Sequence, residues 1–107
     1  MVAEGGGTRL ERRVLRDFRD PAYAQEVLQI LADLPVQLGY SISQGDLERT
    51  RAAIVILANG RVEEFIRALD VARRDYRNVL MAAGLANEDW ASRMDEMLGP
   101  VDPRSGK

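Results

Sequence analysis

The side chains of this chain that could take part in chemistry are mainly arginines and carboxylates, and the densest group is a set of arginines near the N-terminus. Successive residues on a helix are turned by about 100°, which places five arginines on one side and the apolar residues of the same segment on the other. These arginines are Arg9, Arg12, Arg13, Arg16 and Arg19. Guanidinium groups in such a stripe can bind phosphates, an anionic membrane surface or an acidic partner helix. All five are therefore candidate partner-binding residues.

An acidic segment near the other end of the chain carries a net charge of about the same magnitude as the segment with the arginine stripe, with the opposite sign. Between Arg9 and Arg19, five arginines and two acids give a net charge of about +3. Between residues 88 and 98, four acids and Arg93 give about −3. A match of the two segments within one chain or between subunits is therefore available. We expect the arginine stripe to be solvated or internally matched ahead of binding an acidic protein partner. Nucleic acid and membrane surfaces rank behind both.

The last apolar helix face supplies a second set of candidate binding residues. Trp90, Met94 and Met97 recur at helical spacing in this segment. Flexible methionine side chains and an amphipathic tryptophan adapt well to a partner helix, although such residues also fill cores. We keep both interpretations, with core filling favoured.

The composition excludes several kinds of catalytic site. There is no His and no Cys in the chain, so a thiolate or imidazole zinc site, a His-based triad and a disulfide framework are all impossible. Adjacent acids occur at Glu63-Glu64, Glu88-Asp89 and Asp95-Glu96, but neighbours on a helix diverge by about 100° and do not converge on a metal ion. A Mg²⁺ site assembled from several helices is left as an option. We predict no cofactor and no resident metal.

Apolar residues recur with helical rather than strand periodicity from Leu10 onward, which predicts an all-α chain. The expected helices cover residues 9–19, 21–34, 44–59, 62–83 and 88–98. Asp20-Pro21, Ser43 and Asn87 supply N-terminal signals, and glycines or prolines supply the stops. Residues 36–43 are expected to be a connection with one helical turn at most. The third helix, apolar all round in its second half, is predicted to be the central and most buried one.

These elements predict a compact bundle of about five amphipathic helices in a single domain. We expect the domain to cover residues 9–99, with flexible tails at 1–8 and 100–107. No stretch approaches the length of apolar sequence that crosses a membrane, and no secretory signal pattern is present at the start. A cytoplasmic location is the expectation.

The function favoured by these observations is a non-enzymatic protein-interaction or self-associating domain, with a protein or a second copy of the chain as partner. The arginine stripe or the helix with Trp90, Met94 and Met97 would supply the contact. The alternative is a small nucleic-acid-associated regulatory protein that uses the arginine stripe, although the acidic last helix disfavours DNA reading. An enzyme that relies on carboxylates and Mg²⁺ ranks third, because no catalytic motif is present.

Overall fold

The computed structural model describes residues 9–99 and confirms the all-α class, since this part of the chain contains helices and no strands. Within these described residues, seven helices pack into a compact body, and the radius of gyration is 13.1 Å. They are α1 (Arg9–Asp17), α2 (Pro21–Ala32), α3 (Leu34–Leu38), α4 (Gln44–Ala58), α5 (Val62–Arg74), α6 (Tyr76–Ala83) and α7 (Trp90–Leu98). The tails predicted at 1–8 and 100–107 lie outside the described residues.

Local sequence signals set most of the helix ends. The Asp20 side chain accepts a hydrogen bond from the Ala22 N–H at the start of α2, and Ser43 does the same for the Asp46 N–H in α4. Each cap satisfies one of the backbone donors that a first helical turn leaves free. Gly84 ends α6 in the left-handed conformation with φ 78°, as predicted for a C-terminal glycine.

Helix α4 is the central helix, as predicted. Four consecutive residues from Ala52 to Val55 are buried, and helices α1, α3, α5, α6 and α7 all contact α4. The buried Thr50 hydroxyl donates to the Asp46 carbonyl at 2.7 Å, so this polar group enters the core with its hydrogen bond satisfied. The second half of α4, which is apolar on every side, suits this position because neighbouring helices cover it.

The single helix predicted over residues 62–83 is wrong, because the chain divides there into α5 and α6. Asp75 lies between the two helices with extended backbone angles, φ −165° and ψ 108°. Its carboxylate accepts from the Arg77 N–H at 3.0 Å and so caps α6. Periodicity did not reveal the break because the apolar stripe keeps its helical spacing across Asp75.

Two smaller differences concern the connections. Residues 34–38 form the short helix α3, which is more than the single turn expected in this region. The last helix begins at Trp90 and not at Glu88, because the Trp90 N–H bonds to the Asn87 carbonyl in a turn and Asp89 occupies the N-cap position.

Among residues 9–99, none of the helices has the length and the apolar character that a membrane span requires.

Candidate interaction surface

Two members of the arginine stripe lie against α7. The Arg9 guanidinium donates to Asp95 Oδ1 at 2.5 Å and to the Gly99 carbonyl at 3.1 Å. The Arg13 guanidinium donates to Asp17 at 2.5 Å and to the Met97 carbonyl, also at 2.5 Å. These arginines therefore connect α1 to the C-terminal end of α7, where cations complement the helix dipole. The ion pair between Arg9 and Asp95 joins the basic first helix to the acidic last helix within one chain.

The other three arginines of the stripe lie on the exposed side of α1 or, for Arg19, in the connection to α2. Arg12 and Arg19 are exposed, and the Arg16 side chain is 70% exposed while its Nε donates to Asp17 at 3.2 Å. Asp20, four residues after Arg16, instead caps α2. Whether the exposed arginines bind a partner stays a prediction.

Trp90, Met94 and Met97 do not share one surface. Met94 is a core residue, and Met97 is half-buried with its carbonyl bonded to Arg13. Trp90 is partly exposed, and the Arg49 guanidinium lies 4.9 Å from its ring centroid in a cation–π contact. In this fold Trp90 is the one of the three that presents a large apolar surface, and that surface is partly covered by Arg49. Binding by this set also stays a prediction.

A groove between α2 and α5 exposes large apolar side chains. Tyr23 is 50% exposed and Ile66 is 59% exposed. The groove has a volume of about 240 Å³. Its lining residues are Tyr23, Glu26, Val27, Ile30, Val62, Phe65, Ile66 and Leu69. On each helix the four positions follow the spacing i, i+3, i+4 and i+7, so each wall is one continuous stripe.

The width of the apolar arc is the sequence signal that could have located this groove. On α5, Phe65, Leu69 and Ala72 fall within a narrow arc, whereas Ile66 lies about 100° from Phe65 around the helix axis. One neighbouring helix cannot cover both edges of so wide an arc. Phe65 is accordingly buried and Ile66 exposed.

One end of the groove opens into a polar pocket of about 600 Å³. Tyr23 and Val62 line both, so the groove and the pocket form one continuous surface at the start of α2 and α5. Arg19, Asp20, Arg61 and Glu63 are exposed residues of the pocket lining. Acids and bases are therefore mixed at this end, and the groove itself is the more apolar part.

A second polar cluster lies at the junction of α4, α5 and α6. The Tyr76 hydroxyl donates to Asp46 Oδ2 at 3.0 Å, and Arg49 pairs with the same carboxylate. Desolvation raises the pKa of Asp46, but hydrogen bonds from Tyr76, Ser43 and Arg49 outweigh it and hold that pKa below its ordinary value. The hydrogen bond to Asp46 raises the pKa of Tyr76. These contacts fix Tyr76 against α4.

The carboxylates elsewhere serve helix faces and ion pairs. Asp70 and Arg74 form an i,i+4 pair at 3.2 Å, and Arg67 pairs with Glu64 at 3.2 Å. Across residues 9–99, no group of three acids is close enough together to hold a metal ion. Glu63, in the lining of the polar pocket, forms no ion pair with residues 9–99.

Comparisons with known proteins identified no relative: no family model, no curated protein and no solved structure matches this chain.

Proposed function

We propose that this chain is a non-enzymatic protein-interaction domain that binds a helical segment of a partner protein in the groove between α2 and α5. The observation that carries the proposal is the pair of half-exposed side chains, Tyr23 and Ile66, on facing walls of one groove. Adjacent apolar side chains left in water around a concave floor are typical of a docking site, whereas singly scattered ones are not.

The dimensions of the groove favour a helix as the bound segment. Each wall spans eight residues, Tyr23 to Ile30 on one side and Val62 to Leu69 on the other, and the seven steps between the end residues cover about 10 Å at a rise of about 1.5 Å per residue. Two turns of an amphipathic helix match this length and would place two or three apolar anchors over Val27 and Phe65. Helices docked in grooves present such anchors at i, i+3 or i+4, and i+7.

The charge of the groove adds a requirement for the partner. Glu26 is exposed and is the one charged side chain among the described residues of the groove lining. It forms no ion pair with any residue from 9 to 99. A lysine or arginine beside the apolar stripe of the partner would meet this carboxylate. Complementary charge of this kind fixes register and raises the association rate more than the affinity.

The test is a peptide-display selection against the full chain from a library of helical peptides about three turns long. Peptides selected on the wild-type chain are measured by fluorescence anisotropy against Ile66→Glu and against the control Val36→Glu. Val36 is 80% exposed on α3, outside the groove, so its substitution changes charge without touching the site. We expect Ile66→Glu to weaken binding by about 30-fold or more, since an interface anchor is worth about 2 kcal/mol or more. The Val36→Glu chain should change it less than about twofold.

Two results contradict the proposal. One is a selection that returns no peptide, or peptides whose binding survives Ile66→Glu. The other is a dimer, detected by light scattering, that dissociates in the Ile66→Glu chain, because the groove would then be occupied by a second copy of the protein. Selected peptides rich in Asp and Glu would refute the part assigned to Glu26 while leaving the groove as the binding site.

A further inference from the structure

The break between α5 and α6 contains an inserted side chain. In an uninterrupted helix the Tyr76 N–H would donate to the Ala72 carbonyl, four residues before it. Here the Tyr40 hydroxyl occupies that place: it donates to the Ala72 carbonyl at 2.5 Å and accepts from the Tyr76 N–H at 3.1 Å. One hydroxyl therefore satisfies both backbone groups of the interrupted Tyr76-to-Ala72 hydrogen bond.

Tyr40 reaches this position from the connection between α3 and α4. Its ring stacks on the ring of Tyr76, with centroids 6.2 Å apart and 28° between the planes. Next to it, α3 ends at Gly39 and is tied to α5 by a hydrogen bond from Arg73 to Gln37 at 2.5 Å. The inserted group thus belongs to a segment distant in sequence from the helices that it separates. It lies about one turn beyond Leu69, where the groove ends.

The apolar stripe of the two helices does not require a break. If residues 62–83 formed one helix, the buried residues Phe65, Leu69 and Ala72 of α5 and Val79 and Leu80 of α6 would still fall on one side. The uninterrupted helix would also pair the Ala72 carbonyl directly with the Tyr76 N–H. What it would lose is the α6 cap made by the Asp75 carboxylate.

We propose that the two hydrogen bonds of the Tyr40 hydroxyl keep α5 and α6 separate, and that withdrawal of this hydroxyl lets residues 62–83 join into one continuous helix. The break is favoured by the Tyr40 bridge and the Asp75 cap, and the joined helix by the direct Tyr76-to-Ala72 bond. Removing the hydroxyl leaves two backbone groups unpaired in the broken form but none in the joined form. The balance therefore moves toward the joined helix.

The test is nuclear magnetic resonance on the isotopically labelled full chain, wild type and Tyr40→Phe. A scalar coupling across the hydrogen bond between the Tyr76 amide nitrogen and the Ala72 carbonyl carbon should be absent in the wild type and present in Tyr40→Phe. The Asp75 Cα shift should move from an extended to a helical value. The matched control is Tyr76→Phe, which loses a hydroxyl from the same cluster but keeps the Tyr40 bridge, so its helices should stay separate.

The proposal is overturned if Tyr40→Phe stays folded with Asp75 extended and the Tyr76 amide exchanges about tenfold faster or more, as a lost hydrogen bond would produce. Should Tyr40→Phe not fold, the double variant Tyr40→Phe/Asp75→Ala removes both features that favour the break. A joined helix in that chain supports the role proposed for the Tyr40 hydroxyl. A broken helix, or loss of folding in both chains, refutes it, because the hydroxyl would then be a requirement of the fold.

Discussion

Substitution of Gly60 by Ala tests how α1 is held against the turn between α4 and α5. Gly60 has φ +82°, in the left-handed region, and directly follows Asn59, which ends α4 at φ 49°. A Cβ atom built on Gly60 would lie 2.6 Å from the backbone carbonyl oxygen of Asp17, the last residue of α1. The absence of a side chain at residue 60 is therefore what allows the end of α1 to approach this turn.

The expected cost has two parts. Holding an alanine in the left-handed conformation costs about 1–2 kcal/mol. Carbon and carbonyl oxygen atoms in close contact lie about 3.3 Å or more apart, so a Cβ at 2.6 Å forces a shift of about 0.7 Å between two backbone segments. Overpacking of this kind costs about 1–3 kcal/mol. We expect Gly60→Ala to lose about 2–5 kcal/mol of the free energy of unfolding.

Gly39→Ala separates the two parts, because Gly39 has φ +75° and nothing within 4 Å of its ideal Cβ position. Urea unfolding followed by circular dichroism should give a midpoint for Gly60→Ala well below that of Gly39→Ala, with similar slopes. The expected difference in the free energy of unfolding between the two variants is about 1–3 kcal/mol. It should also appear as a difference in Tm, at roughly 4–8 °C per kcal/mol for a domain of this size. Equal losses in the two variants would refute the close approach of α1 to Gly60.

Three further outcomes are expected. Gly45→Ala, in the first turn of α4 with open space around its Cβ position, should raise the urea midpoint by an amount worth about 0.4–1 kcal/mol, and a loss would contradict the helical geometry of this turn. Arg13→Met should cost about 1.5–3 kcal/mol because it removes the donor to the Met97 carbonyl and the shorter of the two arginine contacts of the Asp17 carboxylate, whereas Arg16→Met, at an exposed position, should stay within about 0.5 kcal/mol. The fold lowers the pKa of Asp46. The stabilising effect of this carboxylate is therefore complete above its unfolded-state pKa of about 4 and is lost as the pH falls through its folded-state pKa. Asp46→Asn should accordingly flatten the fall of Tm on acidification below about pH 4, and parallel Tm curves for the two chains would count against this.

The local features of the fold were predictable because short-range interactions decide them. Helical periodicity, the caps at Asp20 and Ser43 and the glycine stop at Gly84 depend on residues within one turn of one another. The burial of α4 was also predictable, since a helix that is apolar on every side needs neighbours all round. The match of the basic first segment with the acidic last one could be anticipated as a balance of charge, although its geometry could not.

Tertiary structure decided where the helical periodicity is interrupted and which apolar side chains stay exposed at the surface. The break at Asp75 is bridged by the Tyr40 hydroxyl, which comes from more than thirty residues earlier in the chain and leaves no mark on the apolar pattern of residues 62–83. The groove likewise depends on which edge of a wide apolar arc is left uncovered, and the pattern of one helix does not specify its neighbour. The sequence by itself therefore determined the helices and the center of the core, because those follow from contacts within a turn and from hydrophobic burial. Helix junctions and exposed apolar walls were settled only when distant segments came together.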